Sequence, residues 1–111
     1  MKVKSGMWTE ERYIMSNFIK ITEISESQQR WPSNVKKYNL DEVFLNIAFV
    51  SSIRDGSYFK KEIKSYKGWP KGLDQNVELA EIALHSGSGP KILYAIDNFK
   101  NIIRKIGANN G

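Results

Sequence analysis

The chain contains no cysteine and a single histidine in 111 residues. Without cysteine there can be no disulfide, no thiol nucleophile and no thiolate metal site. One histidine excludes zinc, copper and non-haem iron sites that take several imidazoles from one chain. Small extracellular domains often depend on disulfides, so their absence favours a reducing compartment, and we expect a cytoplasmic protein.

Long apolar runs are also lacking. The longest, residues 43–50, contains Asn46 and is far shorter than the roughly 18 residues of a membrane helix, so we expect no membrane span. The charged start at residues 1–4 is not followed by an apolar signal core. We expect a single domain over 1–111, with 107–111 as a tail, and with 1–14 as a dispensable extension if translation starts at Met15.

Catalytic motifs are missing as well. The chain has no Gly-x-Ser-x-Gly elbow and no phosphate-binding glycine loop; the glycine-rich stretch 87–91 lacks the required spacing. Most of the carboxylates that could do acid–base work stand at predicted helix starts, where capping explains them. We therefore expect no enzyme activity, no cofactor and no metal.

What the chain does have is breakers that divide it into five segments with apolar side chains at helical spacing. Each has a capping residue at its start and a glycine or proline at its end. The segments are Thr9–Gln29, Leu40–Arg54, Tyr58–Lys67, Asp74–Gly87 and Pro90–Ile106. This pattern predicts a mainly α, compact single domain of about five helices.

The alternative is an α+β domain with strands near 18–24 and 43–50 and a C-terminal helix. Residues 18–24 are rich in β-branched side chains, which favour strands. Residues 43–50 are apolar on nearly every side, and periodicity does not distinguish a central helix from a buried strand there.

The last segment has the most regular pattern. Ile92, Ile96, Phe99, Ile103 and Ile106 step by four, three, four and three, which is typical of one buried helix face. We predict that Ile96, Phe99 and Ile103 belong to the core. On this interpretation Phe99→Ala costs roughly 3–5 kcal/mol.

A basic, aromatic segment at 58–71 is the strongest candidate for a functional surface. It carries five lysines against one acid, Glu62, with aromatic side chains between them. Lysines can bind phosphates or acidic proteins, and exposed rings can anchor a partner or stack on bases. The alternative is an ordinary solvated helix face. The predicted binding residues are Tyr58, Lys60, Lys61, Lys64, Tyr66, Lys67, Trp69 and Lys71.

The net charge of +5 favours an acidic partner. The leading hypothesis is a non-catalytic binding protein of inhibitor, immunity, antitoxin or adaptor type whose partner is an acidic protein. The alternative is a nucleic-acid-binding protein that uses the lysines at 58–71. Arginine, the residue suited to bidentate base contacts, is scarce, with only four in the chain. Such binding would therefore use phosphate charge.

Overall fold

Strands make up most of the regular structure. The computed structural model of the chain describes residues 17–27 and 36–110. The elements in chain order are β1 (Phe18–Glu26), β2 (Tyr38–Asn46), a 3-10 turn (Ile47–Phe49), β3 (Val50–Asp55), α1 (Ser57–Ser65), β4 (Leu79–Ser86), β5 (Gly89–Ile96) and α2 (Phe99–Asn110). The prediction of a mainly helical domain with about five helices is therefore wrong.

The five strands form one antiparallel sheet in the order β2-β1-β5-β4-β3. β1 pairs with β2 over its whole length, so that Ile21 lies opposite Val43. β4 and β5 form a hairpin that turns at residues 87–88, and Gly89 follows with a φ of 106°, which glycine adopts without strain. β2 and β3 are the two edge strands, although only the 3-10 turn separates them in sequence.

One face of the sheet is covered by α2. Side chains alternate between the faces of a strand, and one set from every strand meets the helix side chain Ile102, which is fully buried. The buried residues of this cluster are Ile19, Ile21, Leu45, Ile47, Ala80, Ile82, Leu93, Ala95 and Ile102. This larger cluster is the main core.

The opposite face is covered by α1. Ile63 of the helix is fully buried against Ile24 and Leu79 of the sheet, and Tyr38 closes the same cluster. Phe59, Trp69, Tyr94 and Ile96 pack around it as partly buried residues. Because apolar side chains are buried on both faces, residues 79–84 of β4 are apolar at every position except Glu81 and lose the simple alternation of a half-exposed strand.

The first two predicted helices are strands where the structure describes them. Residues 18–26 form β1, in agreement with the alternative of a strand near 18–24, while residues 9–16 and 28–29 lie outside the described part of the chain. The apolar run 43–50 is divided: residues 43–46 end β2, residues 47–49 form the 3-10 turn, and Val50 begins β3. Asn46 ends β2, because its side-chain oxygen accepts a hydrogen bond from Ala48 N (3.0 Å) and caps the 3-10 turn.

The last two predicted helices are also wrong over most of their length. Residues 79–86 and 89–96 form the β4–β5 hairpin, and a helix begins only at Phe99. Asn98 starts it: its side chain accepts from Lys100 N (2.8 Å) and its carbonyl from the amides of Asn101 and Ile102.

Asp97, just before this cap, is held by the helix that it precedes. Its carboxylate accepts from Asn98 N (2.7 Å), Asn101 Nδ2 (3.2 Å) and Lys105 Nζ (3.2 Å). Burial by itself opposes ionisation, but these hydrogen bonds outweigh it and lower the pKa of Asp97.

The three residues predicted as core in the last segment do not share one buried face. Ile103 is 49% exposed, whereas its neighbour Ile102 is fully buried. Phe99 is partly buried against the main core, and Ile96 belongs to β5 and packs on the opposite face. The predicted stripe fails because it runs across the turn at 97–98, where the side-chain direction is reset.

In the part of the chain that the structure describes, no helix combines the length and apolar character needed to cross a membrane.

Candidate binding surface

α1 is the helix that carries most of the predicted binding residues, and its start is fixed by contacts with β4. Gly56 N donates to Leu79 O (2.8 Å), and a Cβ at Gly56 would lie 3.0 Å from that oxygen. Gly56 is the N-cap, and the carboxylate of Asp55 before it accepts from Ser57 N (3.1 Å) and Ser57 Oγ (3.2 Å). Ser57, the predicted cap, is instead the first helical residue.

The rotation of α1 is set by its apolar side. Ile63 is fully buried, and the ring of Phe59 stacks on Tyr94 with 3.8 Å between centroids and 6° between planes. Phe59 also meets Tyr38 edge to face, at 5.7 Å and 85°. With this side fixed on the sheet, the lysines of α1 must lie on its outer side and flank.

Two of these lysines lie against Trp69. The Nζ of Lys60 is 5.7 Å and that of Lys64 is 5.3 Å from the centroid of the indole ring. The ring is fixed in turn, because Trp69 Nε1 donates to Leu73 O (2.9 Å). Cation–π attraction therefore draws the two lysines to one place despite their like charge.

Lys60 differs from the other lysines of the segment. It is half-buried, and its Nζ donates to Val77 O (2.7 Å), so its ammonium group tethers α1 to the chain that enters β4. Lys61 and Lys64 are exposed on the same helix. Lys60 thus has a structural role beside any role in binding.

Lys67 lies beyond the end of α1, although the predicted helical segment Tyr58–Lys67 included it. Gly68 N donates to Ile63 O and Lys67 N to Lys64 O, both at 3.0 Å, which is the Schellman pattern of a helix C-terminus. Lys67 takes the left-handed position of this motif with a φ of 55°, where glycine is usual. The side chain is exposed.

Lys36 joins this surface from a distant part of the sequence. Its Nζ lies 4.4 Å from the ring centroid of Tyr66 and 3.9 Å from a carboxylate oxygen of Glu26. The chain passes close here, because a Cβ at Gly68 would lie only 2.3 Å from Lys36 O. We call the whole set the lysine surface: Lys36, Lys60, Lys61, Lys64, Tyr66, Lys67, Trp69 and Lys71.

The lysine surface has little counter-charge. Within residues 17–27 and 36–110, Lys36 is the one member with a carboxylate oxygen within 4.0 Å. Lys61, Lys64, Lys67 and Lys71 are exposed and make no such ion pair there. A positive potential therefore extends from this side of the molecule.

Tyr58, also predicted as a binding residue, is 54% exposed but contacts the sheet through its hydroxyl. Its hydroxyl donates to a carboxylate oxygen of Glu81, and it lies 2.7 Å from the hydroxyl of Tyr94. The hydrogen bonds to Glu81 and Tyr94 raise the pKa of Tyr58 well above its ordinary value. The structure thus assigns Tyr58 to the contact between α1 and the sheet.

Tyr38, beneath the lysine surface, is a second tyrosine with a shifted pKa. Burial, followed by the negative charges of Glu26 and Glu62, raises the pKa of Tyr38 to about 12. Its ring packs against Phe59 and the backbone at Gly68, so the neutral phenol is part of the support for α1.

Metal-ligating side chains and surface grooves are the two other features that could form a site. No three of the histidine and acidic side chains in the described ranges are grouped so as to hold a metal ion. An open groove of about 240 Å³ runs between β3 and α2, lined by Val50, Ser51, Ser52, Ile53, Ile103 and Ile106.

The chain was compared with protein-family models, with curated proteins and with solved structures, and none of the three comparisons gave a match.

Proposed function

We propose that this protein is a non-catalytic binding protein that recognises an acidic protein partner through the lysine surface. The observation that carries the proposal is the group Lys61, Lys64, Lys67 and Lys71, which is exposed and has no carboxylate oxygen within 4.0 Å in the described part of the chain. Like charges close together repel, and an acidic partner relieves that repulsion when it binds.

The conformation of Lys67 supports a role for its charge. A left-handed φ costs a residue other than glycine on the order of 1 kcal/mol, and Lys67 holds one of 55°. Glycine would end α1 with less strain but without an ammonium group. Strain retained at a charged, exposed position is typical of functional surfaces.

The aromatic side chains favour a protein partner over single-stranded nucleic acid. Bases stack on open ring faces. Here, Trp69 is already approached by the ammonium groups of Lys60 and Lys64, and Tyr66 by that of Lys36. The lysine surface also contains no arginine, the residue suited to bidentate base contacts. Charge is therefore the main feature that it offers.

The test compares two double variants with the same change in net charge. Lys61→Glu with Lys71→Glu alters the lysine surface without touching the tether of Lys60 or the helix end at Lys67. Lys91→Glu with Lys100→Glu is the control, since both residues are exposed on other elements. Partners are captured from the source cell with the wild-type chain, with and without nuclease, and association rates are then measured for both variants.

We expect nuclease-resistant capture of a protein, with association slowed about tenfold or more by the first pair and much less by the second. Dissociation rates change little, and the difference shrinks at high salt because surface charge is screened. Equal slowing by both pairs would mean that net charge alone acts. Recovery that is lost with nuclease would favour nucleic acid instead.

A further inference from the structure

The outer edge of β2 is an open strand edge. β2 is nine residues long and pairs with β1 at every position without a bulge, and no strand within residues 17–27 and 36–110 pairs with its other side. Alternate residues of such a strand direct their N–H and C=O groups outward, where a further strand can pair with them. Asn39, Leu40, Asp41 and Glu42 are all exposed in the middle of this edge.

The other edge of the sheet is protected in a way that β2 is not. β3 has six residues and a register shift between Val50 and Ser52. The hydroxyl of the intervening Ser51 donates inward to Ala83 O (3.1 Å). Short, bulged edges discourage strand addition, so β2 is the better template of the two.

Side chains along β2 describe what such an added strand must look like. Every second side chain of β2 lies on the same face. Leu40, Glu42 and Phe44 share one face, where Leu40 is 39% and Phe44 61% exposed. Asp41 projects on the other face directly opposite Glu23 of β1, and neither carboxylate has an ion pair in the described part of the chain. Glu42 forms an ion pair with Lys20 of β1 (3.3 Å), in which both side chains stay exposed. Like charges directly opposite one another destabilise a strand pair.

We infer that β2 accepts an extended segment of a partner protein by strand addition. The segment carries basic side chains opposite Asp41 and Glu42 and apolar side chains opposite Leu40 and Phe44. Its backbone completes the hydrogen bonds of the edge, and its apolar groups cover two exposed side chains. The cation opposite Asp41 offsets the facing charges of Asp41 and Glu23, and the cation opposite Glu42 shares that carboxylate with Lys20.

Antiparallel pairing with a second copy of this chain is unfavourable in the registers centred on Asp41 or on Glu42, because it sets identical carboxylates opposite one another. The inference does not rest on the lysine surface, which recognises the opposite charge. A basic segment paired with residues 40–44 does not pair with Lys36 of the lysine surface, because Lys36 precedes the first residue of β2.

The experiment uses the full chain and a capped synthetic peptide, Thr-Ile-Thr-Lys-Lys-Val-Thr. In antiparallel register this sequence places the lysines opposite Glu42 and Asp41 and the apolar residues opposite Phe44 and Leu40. One control peptide has glutamate in place of lysine, and another carries N-methyl groups on alternate backbone amides. Amide chemical shifts of the labelled protein are followed during each titration.

We expect saturable shifts confined to β2 and β1 with the lysine peptide, and at least tenfold weaker binding of both control peptides. Phe44→Ala weakens binding about fivefold or more, whereas Phe49→Ala, a matched change at an exposed phenylalanine on the 3-10 turn, does not. Equal binding of the N-methylated peptide, shifts that map to β3 or the lysine surface, or no saturation at millimolar peptide would each overturn the inference.

Discussion

Two adjacent isoleucines on α2 are expected to differ sharply in their contribution to stability. Ile102 is fully buried in the main core, and Ile103 is 49% exposed. Ile102→Ala removes three buried carbons, worth about 2.4 kcal/mol in transfer free energy, and leaves a cavity that adds roughly 1 kcal/mol more. We therefore expect a loss of about 3–4 kcal/mol. For Ile103→Ala about half the transfer term applies with no cavity, so the loss is about 1 kcal/mol.

Urea unfolding followed by circular dichroism measures both losses, provided that the slopes agree between variants. Ile102→Val, expected to cost about 1 kcal/mol, keeps the comparison usable if the alanine variant is too unstable to fold. The predicted helical stripe instead places Ile103 in the core, so that Ile103→Ala would also cause a large loss. A loss at Ile103→Ala equal to or larger than that at Ile102→Ala would refute the placement of α2 on the sheet.

Three further expectations concern single positions. Gly68→Ala is expected to destabilise by roughly 1–3 kcal/mol, because its Cβ would lie 2.3 Å from Lys36 O, whereas Gly87→Ala, with open space around it, changes the urea midpoint little. The pKa of Tyr38 is raised in the folded state. The stability that this shift contributes is therefore fully present below the unfolded pKa near 10 and is lost as pH rises to about 12. Tyr38→Phe should then weaken the alkaline fall in urea midpoint. The pKa of Asp97 is lowered, so its contribution is present above its unfolded pKa and is lost as pH falls below it, and Asp97→Asn should flatten the acid side of the same profile.

The sequence predicted α1 well because its signals are local. The apolar spacing of Phe59 and Ile63 and the stop near Gly68 depend on residues close in sequence, and all of the helix except its first residue, Ser57, lies within the predicted segment. The left-handed residue at its end is nevertheless Lys67 rather than glycine. Gly68, the glycine predicted to end the helix, follows one residue later. Glycine is required there because the backbone at Lys36 O leaves no room for a side chain.

The strands were missed because both faces of this sheet are covered. In β4, Leu79 and Ala80 are both buried, one on each face, so the alternation that identifies a strand is absent. Continuous apolar runs also satisfy a helical period by chance. The β-branched residues of β1 gave the clearest strand signal, and the capping residue Thr9 at the start of that segment outweighed it by suggesting a helix start.

The candidate surface was predicted in part for the same reason. Lys60, Lys64 and Trp69 are close in sequence, and the structure brings them together. Lys36 lies about 30 residues from Tyr66 and joins through a tertiary contact that no local pattern contains. Tyr58 has the right spacing, yet the hydroxyl bonds to Glu81 and Tyr94 hold it against the sheet.

Net charge is where sequence and structure differ most in what they imply about partners. A sum of +5 points to one acidic partner. The fold, however, sorts the charges: several lysines gather around α1, while Asp41 and Glu23 face one another at the β2 edge of the sheet with no cation within 4.0 Å in the described part of the chain. Complementarity acts over a local patch because charges more than about 8–10 Å apart are screened at physiological salt. The acidic edge can therefore attract a basic segment although the chain as a whole is basic, and its affinity should follow the local charge of β2 rather than the total.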